Sequence, residues 1–257
     1  MGHLQILRGF HSPLDHETRA LRIYLPDRFG ENEWERYPVL YMQDGQNLFD
    51  HPETECYPSW GIDRAVDALV RSGDIRPWIV VGIDHRGVKR ISEFSPWPEP
   101  SSGEPARAEQ YEAFVLNHVI PWVQRSLPVR TEPEWTAIAG SSLGGLVSLH
   151  LGWRHPEIFG RVGALSPSVM WAGGRMFGQW NAHRPYRRLY VDAGATEHFE
   201  AGGMHFDYGR AVREFVGHLR NLGYREPSFR GVLEPGGQHS EGDWRRRAPD
   251  ALRFLLG

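Results

Sequence analysis

The apolar residues of this chain follow two alternating patterns. Short continuous apolar runs followed by turn residues are typical of strands buried on both faces of a sheet. Such strands are predicted at residues 37–42, 78–84, 135–139, 161–166, 188–192 and 228–233. Apolar residues at helical spacing lie between them and predict helices at residues 60–70, 108–126, 145–155, 208–219 and 244–256. This alternation predicts an α/β fold, in which a mostly parallel sheet carries helices on both faces.

The first two strand-like segments differ from the others. Residues 4–10 and 19–25 enclose the turn-forming sequence Ser12-Pro13-Leu14-Asp15, so they predict an antiparallel hairpin at one edge of the sheet. The sequence contains neither a linker nor an internal repeat, and a single domain over residues 1–257 is expected. Pro121 is expected to bend its helix or to mark the last turn.

A serine motif follows the apolar run at residues 135–139. Gly140-Ser141-Ser142-Leu143-Gly144 is a G-x-S-x-G sequence that leads from a predicted strand into a predicted helix. In α/β-hydrolases this arrangement exposes a nucleophilic serine hydroxyl above the sheet. The motif alone also fits a tight turn whose glycines serve packing. A serine hydroxyl is a weak nucleophile by itself, so Ser142 requires a general base that a third group holds in place.

The expected base and acid follow later strands. His239 lies in a glycine-rich loop between the last predicted strand and the last helix, where the base of such an enzyme belongs. Glu197 is the preferred acid, because a residue just past a glycine-containing turn can reach back toward the base. Asp192 is the rival, and Glu200 and Asp207 are weaker candidates. A Ser142–His239 dyad without an acid stays open.

An oxyanion hole requires two backbone N–H groups. Leu143 supplies one, since it follows the nucleophile directly. The loop after the strand at residues 37–42 is expected to supply the other, from Gln46 or alternatively from Gly45. Asp44 in the same loop is either part of this site or a structural acceptor of backbone hydrogen bonds.

Two long segments lack a regular pattern, one near residues 85–107 and one near 167–186. Loops of this length in compact proteins are usually functional, so we expect them to form the substrate pocket. Trp97 and Trp171 are the predicted substrate-binding residues. The full set of expected pocket-wall side chains is Phe94, Trp97, Met170 and Trp171. The alternative is that these side chains pack beneath their own loops.

Charge and composition limit the kinds of molecule that this protein is expected to bind. A net charge of -3 gives no support for binding to nucleic acid or to a membrane surface, and a small-molecule substrate is expected. The histidines show no metal-binding spacing, so neither a metal nor another cofactor is predicted. Cys56 is the single cysteine, which fits a reducing compartment, and the cytoplasm is the default location. A leader already removed would leave the same sequence, and both a monomer and a homodimer are compatible with it.

Four stretches together resemble the putative esterase family of α/β-hydrolases, the group that includes esterase D. Tyr37–Asp50 is similar to its oxyanion strand and loop, and Arg90–Trp97 to its pocket loop. Gly140–Gly145 is similar to its elbow, and His239–Arg247 to its histidine segment. The resemblance covers nearly the whole chain and is far more specific than the serine motif alone.

This resemblance implies hydrolysis of carboxylic esters, with Ser142 as nucleophile and His239 as base. It supports Glu197, because the family's acid lies on the loop that carries this residue. Siderophore trilactone esterases in the family are thought to act without a well-placed acid, which keeps the dyad open. An acyltransferase with the same triad, and a binding protein that lost catalysis, are the alternative functions.

Overall fold

A mixed sheet forms the centre of the protein. The computed structural model describes residues 1–12, 17–201 and 203–257, so most of the turn predicted at Ser12-Pro13-Leu14-Asp15 lies outside the described residues. The strands are β1 (His3–His11), β2 (Thr18–Leu25), β3 (Val39–Gln43), β4 (Ile79–Ile83), β5 (Thr136–Ser141), β6 (Arg161–Leu165), β7 (Arg188–Gly194), β8 (His198–Ala201), β9 (Met204–Asp207) and β10 (Phe229–Glu234). The main sheet has the order β1-β2-β4-β3-β5-β6-β7-β10.

Strands β3 to β7 and β10 run parallel, whereas β1 and β2 form an antiparallel pair, and β2 is also antiparallel to β4. Every residue of β3, β4, β5 and β6 is buried, which explains their continuous apolar sequences. The predicted parallel sheet with an antiparallel N-terminal hairpin is confirmed. The carboxyl ends of its parallel strands all reach one edge, where such folds bind their ligands.

Helices cover both faces of the sheet, as predicted. They are α1 (Ile62–Arg71), α2 (Arg90–Phe94), α3 (Ala108–Phe114), α4 (Ile120–Ser126), α5 (Ser142–Arg154), α6 (Trp171–Gln179), α7 (Tyr208–Asn221) and α8 (Glu241–Leu256). Buried residues of α1 and α8 form one apolar cluster with one sheet face. Those of α3 to α7 form a second cluster on the other face.

Pro121 does not end its helix. A π-helical turn, Val115–Val119, joins α3 to α4, and the helix continues to Ser126. Proline has no N–H, and its ring crowds the carbonyl four residues earlier. The wider turn just before Pro121 accommodates both effects, so Pro121 does not mark the last turn of the helix, and the bend at the proline stays a prediction.

Short helices occupy the two segments that lack a pattern in the sequence. Segment 85–107 contains α2, and segment 167–186 contains α6, whose residues Ala172, Gly173 and Gly174 have left-handed backbone angles. The backbone N–H of Ala172 donates to Oε2 of Glu99 at 2.8 Å, so the two segments meet.

Candidate active site

Ser142 lies at the sharp junction between β5 and α5. Its φ is 55°, in the left-handed region that a non-glycine residue adopts only when its surroundings enforce it. Two backbone bonds to the neighbouring loop hold it there, since Ser142 N–H donates to Ser166 O at 3.2 Å and Ser168 N–H donates to Ser142 O at 3.0 Å. The strand-to-helix turn that the sequence motif predicts is therefore present.

His239 approaches this serine from the loop between β10 and α8. The Nε2 atom of His239 is 3.1 Å from Ser142 Oγ, and its Nδ1 atom is 2.7 Å from Oε1 of Glu197. The rings of Tyr208 and Trp244 lie against the imidazole, with centroid distances of 4.0 and 4.9 Å. Both ring nitrogens thus have a partner, and packing fixes the ring plane.

Glu197 follows β7 in a tight turn and is fully buried. Its Oε2 atom accepts hydrogen bonds from Gly194 N–H at 2.7 Å and from Ser166 Oγ at 2.9 Å. Burial by itself would raise the pKa of Glu197, but these bonds together with the contact to His239 hold it below its ordinary value. The carboxylate is therefore ionised beside the imidazole at neutral pH.

The backbone of this turn touches the histidine loop directly. A Cβ atom added at Gly194 would lie 2.1 Å from the carbonyl oxygen of Gly237. Only glycine permits that approach. The close contact holds the loop that carries Glu197 next to the loop that carries His239.

Asp192, the rival acid, faces a different set of partners. Its carboxylate accepts hydrogen bonds from Nη1 of Arg247 at 2.9 Å, from the Tyr190 hydroxyl at 3.0 Å and from Ser166 N–H at 3.3 Å. Burial raises the pKa of Asp192 to about 6 despite these bonds. The imidazole of His239 contacts Glu197 instead.

The expected oxyanion donors lie in the first turns of two helices. Leu143 is the second residue of α5, and Gln46 is the second residue of a 3₁₀ turn, Gly45–Asn47, after β3. First-turn N–H groups have no acceptor within their own helix. The side chain of Gln46 fixes its loop by donating to His85 O at 3.2 Å and accepting from His85 N–H at 3.0 Å.

Asp44 connects this loop to the elbow. It is left-handed at φ 57°, and its carboxylate pairs with Arg90 through two bonds of 2.6 and 2.8 Å. A Cβ atom added at Gly144 would lie 2.9 Å from Oδ2 of Asp44, so the loop packs directly against the first turn of α5. The Asp44–Arg90 pair thereby ties the 85–107 segment to the site.

The predicted pocket-wall residues have different environments. Phe94 is fully buried against Tyr111 and packs beneath its loop. Trp97 is partly buried, and its ring meets the edge of His150, about 12 Å along α5 from Ser142. Trp171 is the first residue of α6, and its backbone N–H donates to Ser168 O, close to Ser142. Substrate contact by Trp97 and Trp171 stays a prediction.

Several residues at the site were not identified from the sequence as functional. Tyr208, Ser166 and Ser168 contact the serine or the acid, and Arg247 lies behind both carboxylates. The hairpin formed by β8 and β9 was missed too, although two short runs flanking Gly202-Gly203 are a hairpin signal.

Within the described ranges, no three His, Cys, Asp or Glu side chains are grouped so as to hold a metal ion. None of the described helices combines the length and the apolar character needed to cross a membrane.

Comparison with known proteins identifies the family of this chain. A family model described as putative esterase matches residues 14–255. The chain is 24% identical over 246 residues to the uncharacterized protein YbbA of Bacillus subtilis, covering 93% of each. It is 26% identical over 240 residues to an endo-1,4-beta-xylanase/feruloyl esterase of Xylanibacter ruminicola, covering 92% of this chain but only 29% of that relative.

The fold has matches among solved structures. An IroE-like serine hydrolase from Shewanella oneidensis superimposes with a TM-score of 0.78 at 19% identity, covering 99% of this chain and 80% of the other. The likeness shows the α/β-hydrolase fold, and the family match covers nearly the whole chain. This protein is therefore a carboxylic ester hydrolase of the putative esterase family.

Proposed function

We propose that this protein hydrolyses small carboxylic esters through an acyl-enzyme on Ser142. The observation that carries the proposal is an unbroken hydrogen-bond chain. It runs from Ser142 Oγ to Nε2 of His239 at 3.1 Å, and from Nδ1 of His239 to Oε1 of Glu197 at 2.7 Å. A hydroxyl, an imidazole and a carboxylate in that order activate a serine in unrelated hydrolases.

The chemistry follows from this order. Ser142 Oγ attacks the ester carbonyl while His239 takes its proton, and Glu197 stabilises the imidazolium that forms. His239 then protonates the leaving alcohol, and the acyl group remains on Ser142. Water, activated by the same imidazole, releases the acid and restores the serine.

Two backbone N–H groups, from Gln46 and Leu143, complete the mechanism by binding the oxyanion. Support comes from their positions in first turns on either side of the contact between Asp44 and Gly144. Each donor of this kind contributes on the order of 10²–10³ in turnover. Because these donors are fixed before the substrate arrives, they require no reorganisation during the reaction.

The substrate class is defined by experiment with a panel of esters. Relatives include a feruloyl esterase and an iron(III) salmochelin esterase, so the panel contains feruloyl and trilactone esters beside acetyl and longer acyl esters. The acyl group with the highest kcat/KM identifies the substrate class.

The decisive test compares two neighbouring serines. Ser142→Ala should abolish the burst of chromogenic alcohol and covalent labelling by a fluorophosphonate. Ser141→Ala is the matched control, because it removes a hydroxyl from the adjacent position and should preserve both. A burst or labelling that survives in Ser142→Ala would remove Ser142 from the proposed role.

A further inference from the structure

Tyr208 brings a second hydroxyl group to the reacting serine. Its OH lies 3.4 Å from Ser142 Oγ and 2.9 Å from Ser168 Oγ, and its ring lies against that of His239 at a tilt of 34°. The residue is 4% exposed, so its hydroxyl meets protein groups and whatever occupies the site. The triad as proposed gives this hydroxyl no role.

The position of Tyr208 is fixed by the acid loop. It is the first residue of α7, and the N–H of the next residue, Gly209, donates to Glu197 O at 2.9 Å. Asp207 caps the helix by accepting the Arg210 N–H at 2.9 Å. The turn that carries the proposed acid therefore also sets where the Tyr208 hydroxyl lies.

A hydrogen bond donated by Ser168 leaves the Tyr208 proton available. Ser168 Oγ is fully buried with the Tyr208 oxygen as its partner, so Ser168 O–H can donate to that oxygen. The phenol then directs its own proton toward Ser142. Burial raises the pKa of Tyr208, so the phenol keeps this proton and acts as a donor.

We infer that Tyr208 is a further catalytic residue, whose hydroxyl donates a hydrogen bond to the oxygen of the leaving alcohol. This inference rests on the proposed acyl-enzyme mechanism. In the tetrahedral intermediate the leaving oxygen is two bonds from Ser142 Oγ and must approach Nε2 of His239. The Tyr208 hydroxyl neighbours Ser142 Oγ, and the Tyr208 ring lies against the imidazole that carries Nε2.

The step balances without proton loss from Tyr208. The bond between the acyl carbon and the leaving oxygen breaks, and its electron pair stays on that oxygen. The proton comes from Nε2 of His239, while Tyr208 stabilises the developing negative charge by hydrogen bonding alone. The alcohol departs neutral, and the acyl group stays on Ser142.

The test uses esters that share one acyl group and differ in the alcohol. Tyr208→Phe keeps the ring on His239 and removes only the hydroxyl. It should lower kcat/KM roughly tenfold to hundredfold for a methyl ester, whose alkoxide is a poor leaving group. For a p-nitrophenyl ester, whose leaving group needs little help, kcat/KM should change little.

Two further variants separate the leaving-group role from others. Ser168→Ala should reproduce part of the same dependence on the alcohol, because it removes the partner that orients Tyr208. Tyr186→Phe is the matched control. It deletes another buried hydroxyl, bonded to Gly152 O at 2.7 Å, and should leave the dependence on the alcohol unchanged.

Fluorophosphonate labelling tests whether the serine is still activated. Fluoride leaves readily, so Tyr208→Phe should label at nearly the wild-type rate. Slower labelling, or an equal loss of kcat/KM for all alcohols, would show that Tyr208 merely orients Ser142 and would overturn the inference. A loss of kcat/KM in Tyr208→Phe that varies with the acyl group instead of the alcohol would also overturn the inference. If the wild-type protein neither labels nor turns over any ester, the proposed function itself fails.

Discussion

Glu197 and Asp192 are two buried carboxylates five residues apart at the end of β7, and their environments differ sharply. Glu197 contacts His239 and accepts hydrogen bonds from Gly194 and Ser166. Asp192 lies behind it and pairs with the buried side chain of Arg247. The pKa of the first carboxyl is lowered, and that of the second is raised to about 6.

The difference shows that burial alone does not determine the charge of a carboxyl group. Burial disfavours the ionised form at both positions. Close hydrogen bonds from a main-chain N–H, a hydroxyl and an imidazole outweigh it at Glu197. At Asp192 the ion pair with Arg247 leaves part of the burial effect uncompensated. The Glu197 carboxylate is thus suited to orienting the imidazole, and the Asp192 carboxylate is suited to holding the structure around it.

The largest effect is expected when the contact between Glu197 and His239 is broken. Glu197→Gln keeps the shape but cannot stabilise an imidazolium, and it favours the wrong tautomer of His239. We expect kcat to fall on the order of 10⁴-fold, measured at saturating ester with the folded state verified by circular dichroism. A loss below about tenfold would instead favour a working Ser142–His239 dyad.

A smaller effect concerns Asp192 and appears in stability. Its pKa rises from 3.8 in the unfolded chain to about 6 on folding, so its stabilising contribution is fully present below pH 3.8 and is lost as pH rises through about 6. Asp192→Asn removes this dependence. The unfolding free energy of wild type minus that of the variant should therefore decrease by on the order of 2 kcal/mol between these pH values.

Urea unfolding across this pH range measures the Asp192 effect. Glu197→Gln provides the contrast, because the lowered pKa of Glu197 gives stability that is lost as pH falls, so its difference curve should slope the opposite way. The kcat of Asp192→Asn should change by less than about tenfold. A loss as large as that in Glu197→Gln would assign the acid role to Asp192.

The smallest effect is expected from Ser166, which lies between the two carboxylates. Ser166 donates its hydroxyl to Glu197 and accepts from Nη2 of Arg247 at 2.8 Å. Ser166→Ala removes one of three groups that hold Glu197, so kcat/KM should fall roughly tenfold. Ser148→Ala is the matched control, since its buried hydroxyl bonds only within the local helix and strand packing, to Gly144 O at 2.8 Å and Gln43 at 3.4 Å. Equal losses in both variants would contradict a specific role for Ser166.

Sequence reasoning identified the sheet because its central strands are buried on both faces and therefore read as unbroken apolar runs. It identified Ser142, Glu197 and His239 as candidates because each directly follows a strand, at the edge where parallel strands end. Their roles stay proposals, but the structure brings these side chains together. The motif for the elbow is local, so residues within a few positions of Ser142 specify it.

Other parts of the site depend on contacts that sequence spacing does not encode. Tyr208 reads as one apolar position of a helix, and its approach to Ser142 depends on where α7 docks. Arg247 reads as one of several arginines in the last helix, although its side chain is buried between carboxylates. The glycine pair at residues 202 and 203 is a hairpin signal, but the β8–β9 strands are short and carry polar residues, so they lack the apolar run that usually accompanies it.

The β8–β9 hairpin is attached at two points that the rest of the protein holds firmly, the turn at Glu197 and the helix start at Tyr208. Between them, Phe199 stands 41% exposed with its ring 5.0 Å from that of His239. Loop-closure entropy changes slowly with length, so this connection can be lengthened or exchanged at little thermodynamic expense. It is accordingly the natural position at which to graft new substrate preferences onto this scaffold while leaving the three proposed catalytic groups in place.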